Sequence, residues 1–522
     1  MDTEHLLNEI RSKEIMAKLN IQSKSGQDTF CAQFSRWATS PGRLQGRQVA
    51  WTKLAEADSA WMSRVPALLD AERILREYDP TEASDSQGEN WSQILFSGEF
   101  ASLNYVPYLL AYVAISKIII APLLSWMMPV FSIVLPFIAL KFVYGLPIKW
   151  GDYWETMKPM IGLSGNKPWS VSSLLQWGSM LVSYAHGMYI PYKNATHCYH
   201  IHEKMVKVAE AVKSVLRDLG AIGDAWKQAG LRVSWVLDTS ITETSDARQI
   251  CAWLLEDKNY LVHLYRAIGT VEVVHAVLDC HALRPVEWVE SITPYCRMEG
   301  AVDGLLEPEK RVPFQLVLGP SNGHHVVVTG PNRGGKSTFL RSTLTNLMLA
   351  QSWGVAFADK CVLTPVEWVI SSLRLEDRPG QQSLFEREVD VAGEILRRAR
   401  ATKGRGWVII DELFHTTNPP DAATASQIFL RQLWESESVS SLVSTHLFAH
   451  AETAPANVHR LCVASEEDFE TDGKILYKYE VTQGINTMSS VRELLVEADI
   501  LLPGADFTAF KTLPNELEED QC

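Results

Sequence analysis

The chain has 522 residues, 46% hydrophobic and 21% charged, enough for several domains with more than one core. A net charge of -14 excludes nucleic-acid binding by bulk basicity and leaves only local basic stripes for that role. The eight cysteines form no CxxC pair and are irregularly spaced, which argues against a disulfide framework and for thiols in a reducing compartment.

The first twenty residues, MDTEHLLNEIRSKEIMAKLN, hold no apolar core of signal-peptide length, so no secretory signal is expected and Asn194-Ala195-Thr196 reads as a chance sequon. Residues 1–99 read as a helical region. Over 49–78, apolar residues recur three and four apart. DPTEASDSQGEN (79–90) reads as a polar loop.

Residues 100–149 are hydrophobic. The run IIIAPLLSWMMPVFSIVLPFIAL (118–140) carries no charge between Lys117 and Lys141. A bilayer core takes about 20 apolar residues in a helix. Phe100–Ser116 also lacks charge, so a transmembrane hairpin is expected with 100–116 as the return leg. Lys117 would mark one interface, and Lys141 and Lys149 the other. Pro122, Pro129 and Pro136 fall seven apart, nearly on one face, a density better tolerated in a membrane helix than in a soluble one. The alternative is a buried helical hairpin in a soluble core.

Residues 150–300 read as a lever-like helical core, Gly-rich turns giving way to an amphipathic helix over 201–230 and more helix over 244–282. His197, Cys198, His200 and His202 gather four potential metal ligands, but no second cluster accompanies them and a helix face is the expected setting.

After Pro285 the texture changes. FQLVLG (314–319), HVVVTG (325–330), GWVIIDE (406–412) and SSLVSTH (440–446) alternate with helical segments, the signature of a mainly parallel sheet in an α/β domain over 301–500. Trp368, Trp407 and Trp434 lie on its apolar stretches and are expected in its core. Arg397, Arg398, Arg400, Lys403 and Arg405 form a basic run expected as a solvated helix end. Residues 501–522 close the chain as an acidic tail expected to be disordered.

Gly330-Pro331-Asn332-Arg333-Gly334-Gly335-Lys336-Ser337 fits G-x-x-x-x-G-K-[ST] without a mismatch, between an expected strand and an expected helix. Backbone N–H groups of such a loop turn toward phosphate oxygens, the helix N-terminus adds partial positive charge, and Lys336 reaches the outer phosphates. The loop with Thr338 is the expected nucleotide site, and Ser337 offers a hydroxyl to Mg²⁺. Asp411, ending an apolar strand, is expected to hold the same metal, and Glu412 to polarise the attacking water. His446 ends another strand and is expected beside the γ-phosphate or that water.

Together TGPNRGGKSTFLR, SLFEREVDVAGEILRRA, VIIDELFHTTNPPDAA and STHLFAHAE resemble the ATPase domain of the MutS mismatch-repair family in order and spacing over about 301–500. The resemblance implies an ABC-type P-loop fold, ATP with Mg²⁺ as cofactors, and a homo- or heterodimer with composite ATP sites. Ser383, in QQSLFERE, matches the serine that relatives insert into the opposite subunit's site, and Asp421 the acid facing the dimer seam. The family usually has Gly-Arg-Gly-Thr after the acid pair; here Phe414-His415-Thr416-Thr417 stands there, closer to a divergent, often membrane-linked branch. Arg333 replaces a usual Met. Arg47-Gln48 is similar to a pair that opens the family's helical core.

The family reads mismatches with a Phe-x-Glu motif, and none occurs near this N-terminus. The expected function is a DNA-linked (mismatch repair or recombination-related), ATP-hydrolysing MutS-like dimer, membrane-associated with its ATPase domain in the cytoplasm or nucleoplasm, or otherwise soluble and intracellular. The alternative is a membrane-tethered nucleotide switch or scaffold without mismatch recognition. Another dimerising ABC-type or chromosome-maintenance ATPase would carry a Ser-Gly-Gly partner motif where QQSLFERE stands.

Overall fold

The computed structural model describes residues 3–57, 59–77, 91–160, 171–233, 235, 246–373, 383–401, 404–414, 416–468 and 474–501. The expected loop at 79–90 and the tail beyond 501 lie outside these residues, as do Lys403 and His415. The chain divides into two compact units, one made of Met1–Met62, Ala225–Arg232 and Gly269–Cys522, the other of Ser63–Asp224 and Val233–Ile268.

The first unit is built on a six-stranded sheet ordered Lys474–Gln483, Val458–Asp468, His325–Thr329, Val439–Ser444, Gly406–Ile410, Trp368–Ser372. Only the first pair is antiparallel. Every residue of His325–Thr329, Gly406–Ile410 and Val439–Ser444 is buried, as expected of central parallel strands covered on both faces. Trp368 and Trp434 join the apolar cluster on one side with Ile395, Phe429 and Leu433, and Trp407 is buried in the sheet at 1% exposure. A second sheet of four strands, Glu287–Trp288, Lys360–Leu363, Cys296–Ala301 and Phe314–Leu318, and a two-stranded one, Arg284–Pro285 with Val355–Ala356, complete the α/β part.

The N-terminal helices belong to this same unit. Trp51 donates its indole N–H to the Trp353 carbonyl at 2.6 Å, and Gln351 donates to the Ala38 carbonyl at 3.0 Å. Glu9 accepts from the Leu373 amide at 2.7 Å, and Phe30 stacks on Trp353 at 5.9 Å. Arg47, in the helix Pro41–Glu56, donates to the Gln351 carbonyl at 2.6 Å.

The second unit is helical. Its core holds Val208, Val212, Leu219, Leu254 and Leu264. The Arg64 guanidinium bridges to Asp218 at 2.9 Å, and Arg76 lies over the Tyr265 ring at 4.1 Å. The amphipathic helix expected over 201–230 is the end of a longer one, Val171–Gln228, of 58 residues, so the turns expected ahead of it give way to helix from 171 onward. Pro191 removes one donor there without ending the helix.

The hydrophobic hairpin expected within 100–149, with 100–116 as return leg, is corrected by the structure. Leu109–Val143 is one helix of 35 residues, so the two stretches run in the same direction. A single lysine is a good helix former and breaks nothing. Lys117 stays in the helix, inside a π-helical turn at Ser116–Ile120, and donates to the Gln93 carbonyl.

His197, Cys198, His200 and His202 lie along the long helix and point apart. Cys198 is buried, His200 faces Glu203, and His202 faces Arg248. Among the described residues no group of His, Cys, Asp and Glu is arranged to hold a metal ion.

Candidate functional site

The parallel registers set the site. Val443 stands opposite both Val327 and Ile410, so the three central strands end at one level. The segments leaving these strands therefore meet at one sheet edge: the loop from Gly330, the acids Asp411 and Glu412, and Thr445-His446. Ligands of open α/β sheets bind at this carboxyl end.

The loop needs its glycines. Gly335 has φ of 103°, in the left-handed region, where a side chain is strained. A Cβ on Gly334 would stand 2.9 Å from the Pro331 carbonyl oxygen. The resulting cradle opens on the first turn of the helix Lys336–Trp353. A cavity of about 690 Å³ lies over it, lined by Pro331, Asn332, Arg333, Gly334, Gly335, Lys336, Ser337 and Thr338, with Glu412 and Tyr479. Gly330 is buried at the root of the loop, and Ser337 is exposed into the cavity.

Lys336 is buried, and its ammonium donates to the carbonyls of Gly330 at 2.9 Å and Pro331 at 3.2 Å. Burial pushes its pKa down, against the pull of Glu412 and Asp411. His446 Nε2 lies 3.5 Å from Lys336 Nζ and 2.7 Å from Glu412 Oε1. Lysine, carboxylate and imidazole thus form one contiguous cluster.

Ser444, which sequence reasoning passes over, positions both acids. Its hydroxyl donates to Asp411 Oδ1 and accepts from the Glu412 amide at 2.9 Å. A signal exists in the sequence, since Ser444 lies in the strand end that carries His446. Glu412 itself has φ of 56°, a strained conformation that the two neighbouring strands hold in place.

Phe414 occupies the first position of the family's glycine turn and keeps a left-handed φ of 53°. Its ring is buried against Phe385 at 5.9 Å and Phe429 at 6.3 Å, so packing offsets the backbone strain. Arg333 is turned out of the loop, its guanidinium paired with Glu497 at 2.6 Å. Within the basic run, Arg397 and Arg398 pair with Glu394, and Arg405 with Glu367.

Ser383 lies exposed at the start of the helix Leu384–Ala401 and does not line the cavity of its own chain. Its hydroxyl accepts from the Glu386 amide at 3.2 Å, and Glu386 accepts from the Ser383 amide at 2.9 Å, a reciprocal capping box. Asp421 opens the helix Pro419–Trp434, where its amide donates to Asn418 at 3.0 Å.

The residues present fit a magnesium nucleotide. A Cβ at Gly334 or Gly335 would crowd the cradle, the helix N-terminus faces it, and the Ser337 hydroxyl and Asp411 carboxylate supply hard oxygen donors.

Comparison with known proteins points to the same part of the chain. Residues 326–498 match the family model for MutS domain V. The chain is 28% identical over 236 residues, 43% of its length, to the DNA mismatch repair protein MutS of Brevibacillus brevis. It is 27% identical over 213 residues, 38% of its length, to the DNA mismatch repair protein Msh6 of Gallus gallus. Over 166 residues, 30% of its length, it is 31% identical to Msh6 of Homo sapiens. These matches span 26%, 16% and 12% of the relatives' own lengths. The similarity to the MutS family is thus carried by the C-terminal domain, residues 326–498, and the chain spans about a quarter or less of these relatives' own lengths.

Proposed function

We propose that the chain binds and hydrolyses ATP at the Gly330–Thr338 loop, that two copies or a related partner complete each site, and that the cycle serves a DNA transaction. The observation that carries this reading is the contiguity of Lys336, His446 and Glu412 at one sheet edge. The relatives' names, all DNA mismatch repair proteins, support the link to DNA.

Lys336 and the loop amides hold the phosphates. Ser337 and Asp411 would hold Mg²⁺, which supplies charge neutralisation on the phosphates when bound. Glu412 accepts the proton of the attacking water, and His446, hydrogen-bonded to it, orients the carboxylate. Ser444 fixes both acids. Ser383, at a helix N-terminus, reaches the outer phosphate of the opposite subunit's nucleotide, which couples hydrolysis to dimer geometry. Lys336→Ala should abolish phosphate release by the purified chain, and unchanged turnover would sink the assignment.

A second reading is a membrane-tethered switch without mismatch recognition. It is favoured by the helix Leu109–Val143, whose apolar stretch is not buried in protein. Filter binding of homoduplex, mismatched and branched DNA separates the two. Salt-sensitive, ATP-responsive binding supports the DNA role, and its absence supports the switch.

A further inference from the structure

If Leu109–Val143 crosses a bilayer, as in the second reading of the function, a single crossing is inconsistent with the fold. Met1–Met62 and Ala225–Arg232 belong to the same compact unit as the ATPase domain. Hydrogen bonds such as Trp51 to Trp353 fasten the N-terminal helices there. The chain therefore leaves and re-enters one side between residues 62 and 225 and must cross an even number of times.

Among the described residues the candidates for a second crossing are few. Trp150–Met160, with 11 residues, is about 16 Å long, too short for a hydrocarbon core of about 30 Å. Beyond Lys193 the long helix carries Glu203, Lys204 and Lys207 and buries Val208, Val212 and Leu219 in protein. The other long apolar helix, Asn259–Asp279, is mostly buried in protein and lies past residue 225.

We propose that Val171–Tyr192, the first part of the long helix, is the second membrane leg, forming with Leu109–Val143 a two-pass hairpin that places Trp150–Met160 on the far side of the bilayer. From Pro168 to Tyr192 the sequence has no Asp, Glu, Lys or Arg. The leg of about 22 residues spans about 33 Å as helix. Leu175 is 70% and Val182 69% exposed, and Met128 and Leu135 on the first leg 59% and 57%. Apolar surface of this extent, around both helices, is lipid-facing in character rather than a single docking face.

The two legs run antiparallel in one register. Ser125 donates to the Gly187 carbonyl at 2.7 Å, and Tyr184 to the Trp126 carbonyl at 3.1 Å. Hydroxyls satisfied on neighbouring backbone are what hydrocarbon requires. This register puts Lys117 level with Lys193. Gln93 marks the same end, since its carbonyl accepts from Lys117 and its side chain from Cys198 at 3.5 Å. Lys141, in a π-helical turn at Ala139–Val143, marks the far end. Trp150 packs edge-on to Phe137 at 4.8 Å, and Tyr153 donates to the Ile133 carbonyl at 2.8 Å, so Trp150–Met160 folds back against the last turns of the first leg as an aromatic group beside the far interface.

Three single substitutions on the full-length chain test the topology. Gly42→Cys, Gly151→Cys and Gly220→Cys each place a thiol where a Cβ meets nothing within 4 Å. Sealed vesicles bearing the protein, with the ATPase domain outward, are treated with a membrane-impermeant maleimide, and adducts are read on the peptide carrying each residue. The expected result is labelling at 42 and 220 in intact vesicles and at 151 only after detergent. Labelling at 151 in intact vesicles overturns the crossing but keeps membrane attachment. Labelling at 42 with both 151 and 220 protected indicates one span and overturns the second leg. Release by alkaline carbonate overturns the membrane reading itself and leaves a protein partner as the cover for both helices.

Discussion

Glu412 and His446, each the second residue past one of two neighbouring parallel strands, meet with Oε1 2.7 Å from Nε2. A carboxylate oriented by an imidazole, beside a buried lysine, is equipped to take a proton from water. Glu412→Gln keeps the shape and removes the base. Hydrolysis should fall by about 10²–10⁴-fold, while binding of a fluorescent ATP analogue persists. Loss of binding and hydrolysis together would place Glu412 in nucleotide affinity instead.

Ser444 bonds to both acids through one hydroxyl, so its effect should appear in turnover rather than affinity. Ser444→Ala should lower kcat by about tenfold, the scale of one lost hydrogen bond of about 1–1.5 kcal/mol, with KM for ATP little changed. Ser444→Thr, which keeps the hydroxyl, should recover part of the loss. A purely structural serine would instead lower melting temperature in Ser444→Ala and leave kcat alone.

His325 opens the loop strand, buried at 1% exposure, with Nδ1 2.8 Å from the Ser441 hydroxyl. Burial, with His324 beside it, pushes its pKa down to about 4. The folded value lies below the unfolded one, so the unfolded chain binds more protons between the two. Its contribution is fully present above about pH 6.5 and is lost as pH falls toward 4, by up to about 3 kcal/mol. Urea midpoints should drop from pH 7 to pH 5, and His325→Gln should flatten that slope. An unchanged slope would assign the acid sensitivity elsewhere.

Phe414 closes an aromatic cluster with Phe385 and Phe429. Phe414→Ala leaves the left-handed backbone without its packing, and should destabilise the first unit by about 3 kcal/mol. Phe414→Gly relieves the backbone strain and should cost less than a simple cavity predicts. Equal losses for the two variants would show that the strain is not felt.

Much of the C-terminal half is legible in the sequence. Short apolar runs closed by glycine, acid or histidine mark strands that form at 314–318, 325–329, 406–410 and 439–444. In-register parallel pairing then brings their ends together without further signal. The sequence marks the strand end that holds Ser444, but its bond to both acids depends on which strands are neighbours. The N-terminal helices give no sign of joining the unit that carries the glycine-rich loop, since contacts such as Trp51 to Trp353 join residues some 300 positions apart. The apolar segment misleads in two ways. Lys117 reads as a break, although a helix tolerates it, and Val171–Tyr192 stays hidden because serines, Gln176 and His186 dilute its hydropathy.

The central claim, an ATP site completed by a second subunit, is tested most directly by mixing chains carrying Lys336→Ala with chains carrying Ser383→Ala. Each variant alone should be nearly inactive, since both of its sites are defective. In the mixture, random pairing makes mixed dimers with one intact site, and phosphate release should return to about one quarter of wild type. A mixture as inactive as its parts, or full activity of Ser383→Ala alone, would contradict a composite site.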